Sequence, residues 1–443
     1  MVSVITSFSR ITILSFVLAF TIIDLIQIFE FKLSDTLSSI LATVQAVMIV
    51  LFLINGSIVL YMAKDNDITI LVLMLVELVF YWGIYVAVHK MAVPMSRTLL
   101  NNILMFLDFS FLMLERIKVQ NGIKQLAFGV SALVVAYLVI ILIKSIHRVS
   151  QHIYFYGAIG IISLLSVIFI GNVEYGARMS FTLLGVRVQP SEFVKLSFVF
   201  FIAAAIVTYK DYRGFLISTI GSALHVLVLV LSKDLGSALI FLGAYVFITF
   251  IAYKNYILLS IEFAVGLFGG ILAYKMFPHI QTRFIAWSDP LSVIDDKGYQ
   301  ISQSLFAIGT PGWFGSGLNN GVPGKIPVVT NDFIFAAIAE EMGTIVAICL
   351  ILMFMCSVFA IFNIAFSCSN KFYMLVVSGL GIIFAIQSIL NIGGVIKFIP
   401  STGVTLPFIS SGGSSLLSLM ITFFIIDSAD ELGYCSDVRG IYE

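Results

Sequence analysis

Thirteen long apolar runs set the limits on how this chain can fold. A helix crossing the hydrocarbon core of a bilayer needs roughly 20 mostly apolar residues. Runs near that length cover about 11–29, 40–62, 68–88, 99–114, 126–143, 154–170, 196–207, 215–231, 235–252, 257–276, 333–362, 372–390 and 406–426. Only 11% of residues are charged, against roughly 25% in soluble domains, and the mean hydropathy is +1.09. Without water, backbone groups must pair within each segment, so the runs predict helices. The expected fold is therefore an all-α, polytopic membrane protein. A net charge of zero gives no electrostatic footprint for nucleic acid. The first residues read as the start of a span with no small-residue cleavage site. Cys349, Cys356, Cys368 and Cys435 imply neither a disulfide framework nor a metal cluster, and the five histidines have no metal-ligand spacing.

One polar island interrupts the apolar pattern, at 279–343. It holds Asp289, Asp295, Asp296, Asp332, Glu340 and Glu341, together with Arg283, Lys297 and Lys325. Segments of this length are usually functional or disordered. Phe284, Trp287, Tyr299, Phe306, Trp313 and Phe314 recur through it and argue for order.

Three smaller polar stretches stand out. Before the seventh run lies Gln189-Pro190-Ser191-Glu192-Phe193-Val194-Lys195, with Arg178 upstream as a further cation. Proline suits a first helical turn, and Glu192 and Lys195 share a helix face. They read either as a capped helix end or as a charged pair facing a cavity. Asp234 reads either as a helix cap or as a ligand for a cation or a sugar. Near the C-terminus, Asn391 to Ser415 carries Lys397, Ser410 and Ser414 among glycines and prolines. Irregular backbone at membrane depth needs protein or a water-filled cavity around it. The Ser-Ser-Gly-Gly-Ser-Ser run suits a phosphate, or alternatively close helix packing. Glu77 in the third run is an intramembrane acid, open to a functional role or to a helix contact.

These motifs together resemble the SEDS family (shape, elongation, division and sporulation), the FtsW/RodA/SpoVE group. The resemblance rests on GARMSFTLLGVRVQPSEFVKL at 176–196, KDLGSALI at 233–240, GYQISQSLFAIG at 298–309, FGSGL at 314–318, NDFIFAAIAEEMG at 331–343 and NIGGVIKFIPSTGVTLPFISSGGSS at 391–415. It implies a ten-span core over 97–430, with a large extracytoplasmic loop at 276–330 before the eighth core span. Three additional N-terminal spans lie in 1–96, and a cytoplasmic tail in 431–443. It implies a multi-pass protein of the bacterial cytoplasmic membrane that polymerises lipid II into glycan strands and releases undecaprenyl pyrophosphate. A class B penicillin-binding protein and other division or elongation proteins are the implied partners.

Attack by a sugar hydroxyl needs a carboxylate base, and the departing pyrophosphate needs cations or helix N-termini. The candidate bases are Asp295 and Asp296. The candidate substrate contacts are Arg178, Gln189, Glu192, Lys195, Asp234, Lys325, Lys397, Ser410 and Ser414. No cofactor is demanded; magnesium or manganese is compatible with the carboxylates, but no spacing requires it. One departure matters: aligned from Asp289-Pro290 to Gly298-Tyr299-Gln300, the family's expected catalytic aspartate falls on Val293. Two further readings stay open, a flippase for the lipid-linked precursor and a non-catalytic scaffold of the wall machinery. A flippase needs a cavity open alternately to both sides, whereas a polymerase needs its carboxylate on one side only.

Overall fold

A computed structural model describes residues 2–29, 33–90, 96–146, 148–174, 177–183, 186–209 and 211–441. His147, Gly176, Gly185 and Lys210, which belong to motifs or loops noted above, lie outside the described residues. In chain order the helices are α1 (Val2–Phe29), α2 (Asp35–Ala63), α3 (Ile68–Lys90), α4 (Arg97–Ile117), α5 (Val119–Ser145) and α6 (Ile153–Ile170). A small sheet follows, of β1 (Asn172–Glu174), β2 (Ala177–Leu183) and β3 (Val186–Val188). Then come α7 (Pro190–Thr208), α8 (Tyr212–Leu231), α9 (Leu235–Tyr253), α10 (Tyr256–Met276), α11 (Pro278–Ser288) and α12 (Tyr299–Gly309). The last are α13 (Ile334–Met342), α14 (Thr344–Ser367), α15 (Lys371–Val395) and α16 (Gly413–Ile441). Among the described residues 12 helices are long and apolar enough to cross a membrane, and Gly413–Ala429 is a shorter apolar helix. The all-α, multi-pass expectation holds.

Four local expectations change. The connection 171–189 is an antiparallel sheet in the order β1-β2-β3, registered by pairs such as Asn172 with Ser180 and Phe181 with Val188. The polar stretch 115–125 is helical apart from a single break at Lys118, between α4 and α5. The run 333–362 is two helices, broken at Gly343. The last run begins its helix only at Gly413, and that helix continues through the polar tail to Ile441.

The chain divides into two compact units. Unit 1 comprises 1–130, 285–360 and 388–412; unit 2 comprises 131–284, 361–387 and 413–443. Unit 1 is organised on α4, whose residues from Leu99 to Glu115 are all buried. A helix enclosed on every side must be apolar or must pair its polar groups. Phe106 stacks on Phe354 at 4.2 Å and Phe109 packs on Phe52 at 5.0 Å. The helix break at Gly343 has a steric cause. Gly343 (φ 95°) and Gly315 (φ 75°) lie back to back, and a Cβ on either would come within 2.5 Å of the other's backbone nitrogen. Only glycine tolerates both that dihedral and that approach.

In unit 2, α7 is largely enclosed and is started by Pro190 in its first turn, as the sequence predicts. Phe198 packs on Phe241 at 4.6 Å, and Phe201 lies 3.1 Å from where a Cβ on Gly157 would sit. α10 is the opposite case: of its 21 residues only Glu262 is buried.

Candidate functional site

Unit 2 gathers the stretch around Gln189 with Asp234 and Ser414. The Lys195 ammonium donates to Glu192 Oε1 at 2.7 Å and to Gln387 Oε1 at 2.9 Å. Both charged side chains are buried, 4% and 8% exposed. Ser418 donates to the Glu192 carbonyl at 2.6 Å. A cavity of about 10 Å³ adjoins the pair, lined also by Leu380, Phe384 and Thr422; that is space for about one water. The pair therefore locks α7 to α15 and α16, and opens onto no large chamber.

Asp234 caps α9. Its carboxylate accepts from the Ser237 amide at 3.1 Å, from the Ser237 hydroxyl at 2.8 Å and from the Ser191 hydroxyl at 3.2 Å. Burial pushes the Asp234 carboxyl above its ordinary 3.8, and these hydrogen bonds oppose the shift. Ser414 accepts from the Gln189 amide at 3.1 Å and donates to the Arg187 carbonyl at 3.2 Å. The Arg178 side chain is exposed and donates to the Ile168 carbonyl; its amide donates to the Ser232 carbonyl at 3.1 Å. His279 is held below its usual range by burial and by the Arg283 and Lys233 charges.

Unit 1 holds the other candidates. After α11 the chain turns through 289–298. Ser292 donates its amide to Asp289 Oδ1 at 3.4 Å, and the Val293 carbonyl accepts from the amides of Asp296 (3.2 Å) and Gly298 (2.8 Å). A Cβ on Gly298 would lie 2.0 Å from the Pro290 carbonyl oxygen, so the turn depends on that glycine. Its tip presents Asp295 and Asp296, both exposed, while the Val293 carbonyl faces inward as the closing acceptor. Among the described residues neither aspartate accepts a hydrogen bond from protein. Lys325 is exposed. Lys397 has a left-handed backbone (φ 62°), and its carbonyl accepts from Trp287 Nε1 at 3.1 Å. The buried Ser410 donates to the Asn331 carbonyl and accepts from the Leu406 amide at 2.9 Å. Both serine hydroxyls expected to face a phosphate, Ser410 and Ser414, are thus engaged by backbone.

Below the loop Glu341 is a hub. Its carboxylate accepts from Arg116 Nε at 2.9 Å and from the Asn319 amide at 3.0 Å, while Glu340 accepts from the Val322 amide at 2.8 Å. Burial raises the Glu341 carboxyl above its ordinary 4.5, opposed by the Arg116 charge. The sequence does not reveal this role, because Arg116 lies 225 positions away. Nor does it reveal Gln387 as the partner of Lys195, although a lone glutamine in an apolar run is itself a signal of pairing. Among the described residues no group of three or more His, Cys, Asp or Glu is placed to hold a metal ion.

The sequence matches the family of cell cycle proteins FtsW, RodA and SpoVE over residues 103–432. It is 31% identical over 311 residues to the protein named peptidoglycan glycosyltransferase RodA of Mycobacterium tuberculosis, covering 65% of this chain and 66% of that one. It is 32% identical over 282 residues to the Bacillus subtilis protein named "Probable peptidoglycan glycosyltransferase FtsW", covering 59% and 69%. The chain spans about two thirds of the length of such relatives. Among solved structures, a chain from a study titled "Structural coordination of polymerization and crosslinking by a peptidoglycan synthase complex" superposes with a TM-score of 0.65 at 23% identity, covering 76% of this chain and 98% of that chain. The rod shape determining protein RodA of Thermus thermophilus gives 0.56 at 22% identity, covering 77% and 98%. Both likenesses concern the fold.

Proposed function

This chain belongs to the FtsW, RodA and SpoVE family of cell cycle proteins, and on that premise we propose that it is a peptidoglycan glycosyltransferase of the bacterial cytoplasmic membrane. It joins lipid II units into glycan strands, with undecaprenyl pyrophosphate leaving, and works beside a class B penicillin-binding protein. Residues 97–430 are the catalytic core, 1–96 an added N-terminal segment, 276–330 the extracytoplasmic loop and 431–443 the cytoplasmic tail.

The observation that carries the catalytic reading is the turn at 289–298. A base must be within reach of the hydroxyl it deprotonates and must not already be saturated by protein donors. Asp295 and Asp296 meet the second condition among the described residues, and their exposure leaves them accessible to a substrate. Asp295 or Asp296 takes the proton of the attacking sugar hydroxyl as the new glycosidic bond forms at the anomeric carbon. The bond from that carbon to the pyrophosphate oxygen breaks, and the negative charge passes to the pyrophosphate. Arg178, Lys325 and Lys397 are the cations for that leaving group. Glu192, Lys195, Gln189, Asp234 and Ser414 in unit 2, and Ser410 in unit 1, fix helix starts and broken backbone within their own units.

The test is polymerisation of labelled lipid II by the purified protein with its cognate transpeptidase. Asp295→Ala with Asp296→Ala should abolish polymer, and at least one single variant should lose about 100-fold, the usual worth of a positioned base. Wild-type polymerisation in the double variant would refute the assignment. Exchange of lipid II between leaflets without polymer would favour transport instead.

A further inference from the structure

An open groove in unit 1 lies on the added N-terminal spans, outside the residues that match the family. Its volume is about 430 Å³. Phe16 of α1 forms one wall, and α2 forms the other through Ile40, Val44, Val47 and Leu51. These α2 residues recur every three or four positions, so they share one helix face. All of them are exposed.

The length of the groove limits what can fill it. From Ser39 to Leu51, the outermost α2 residues that line it, the helix rises roughly 18 Å. That is close to one leaflet, half of the roughly 30 Å hydrocarbon core. Past Leu51 the helix is enclosed, and from Phe52 to Ala63 only Ile58 is exposed. Gly56 admits Leu112 of α4 there, since a Cβ on it would lie 2.5 Å from Leu112 Cδ1. A partner helix crossing the membrane needs an open face of about 20 residues. The acyl chain of a bilayer lipid needs only the depth of its own leaflet.

The two ends of the groove differ in chemistry. Val47, Met48 and Leu51 close the inner end. At the outer end Ser39 accepts from Arg97 Nη1, in the first turn of α4, at 2.7 Å. Gln27 of α1 ties this end together, donating to the Ser38 carbonyl at 3.2 Å and accepting from Thr98 at 2.9 Å. Arg97 is exposed, and its guanidinium has more donors than the one Ser39 takes. Among the described residues no carboxylate pairs with it, not even Asp35, one turn before Ser39. An apolar groove of one leaflet's depth that ends at an unpaired guanidinium complements a lipid with a negative head. Arg116, at the other end of α4, binds Glu341 and the Gly321 carbonyl, so Arg97 lies at the membrane face away from that segment. With the 276–330 loop outside, as proposed above, that face is the cytoplasmic one, where anionic lipids attract basic side chains. Only this choice of leaflet rests on the proposed function.

We infer that the groove between α1 and α2 binds one anionic phospholipid of the bilayer, with an acyl chain along Ile40 to Leu51 and the phosphate held by Arg97. The apolar wall alone accepts any lipid chain. Arg97 supplies the selection, because a zwitterionic head carries its own cation beside the phosphate and is attracted less.

The experiment uses the full chain in nanodiscs of equimolar phosphatidylglycerol and phosphatidylcholine with identical acyl chains, the same in both leaflets. Val47→p-benzoylphenylalanine places a photoreactive group in the groove, and mass spectrometry identifies the captured lipid. Phosphatidylglycerol should be captured about fivefold over phosphatidylcholine, the worth of one basic side chain near an anionic surface. Arg97→Gln keeps a donor for Ser39 and should bring the ratio to about one, whereas Arg97→Lys should keep most of the preference. Val44→Trp fills the groove and should reduce capture of both lipids. The readout is the adduct and not polymer, so the result stands whether or not the chain polymerises lipid II. A ratio near one in the wild-type background, or a preference untouched by Arg97→Gln, overturns the inference. So does a preference lost equally in Arg97→Gln and Arg97→Lys, which marks a packing role. Capture unaffected by Val44→Trp, or an adduct with a second copy of the chain in place of lipid, overturns it as well.

Discussion

Lys195→Met is the sharpest test of the packing around α7. Methionine keeps the length and apolar stem of lysine but removes the ammonium. Glu192 then loses its 2.7 Å partner and Gln387 its 2.9 Å donor. With side chains only 4% and 8% exposed, bulk water does not replace them, and the adjoining space takes about one water at most. Breaking one side of such a buried pair costs about 3–5 kcal/mol, and the second hydrogen bond, to Gln387, moves the expectation to the upper half of that range. The paired variant Glu192→Gln/Lys195→Met carries no buried charge and should return to within about 1–2 kcal/mol of wild type, because uncharged replacements of a buried pair are often near neutral. The assay is reversible unfolding in mixed micelles, followed by circular dichroism and analysed as a double-mutant cycle. A loss below about 1 kcal/mol for Lys195→Met, the worth of an exposed pair, would refute the reasoning. A double variant no more stable than the single would do the same.

Two further outcomes follow from the loops. Burial raises the Asp234 carboxyl above 3.8, so the folded state holds its proton to higher pH than the unfolded chain. The stability from Asp234 is therefore full below pH 3.8 and declines as pH rises through the folded value. Asp234→Asn keeps a capping oxygen and should flatten that part of the pH profile of thermal stability; an unchanged slope counts against it. Gly343→Ala forces a Cβ to within 2.5 Å of the Gly315 nitrogen at φ 95°. It should cost at least about 1–3 kcal/mol in the same unfolding assay, and a neutral result would contradict the back-to-back geometry.

The spans were legible in the sequence because hydropathy alone decides them. Glu192 and Lys195 were legible as a pair because three residues bring two side chains onto one helix face. Their third partner, Gln387, lies 192 positions away from Lys195, and no local pattern encodes that distance. The break at Gly343 was hidden because apolar residues continue on both sides of it; what divides α13 from α14 is the backbone of Gly315, a contact made only in the folded chain. The sheet at 172–188 was missed because strands of three and seven residues give little periodicity to read. In the turn at 289–298 the part played by Val293 was not legible, because it is made by the backbone. Its carbonyl closes the turn, a task that any side chain permits, and the carboxylates stand two and three residues later.

α10 has a consequence for how the sequence can drift. Glu262 is its one fully buried residue; the other positions are exposed or half-buried, with Phe263 against Phe247, Tyr256 against Phe250 and Tyr274 against Phe284. A saturating mutational scan should find its sharpest line at Glu262, whose carboxylate takes the Thr249 hydroxyl at 2.9 Å, and weaker lines at the ring contacts. With so few enclosed positions, variation in a set of such chains should accumulate on this helix sooner than on α4 or α7.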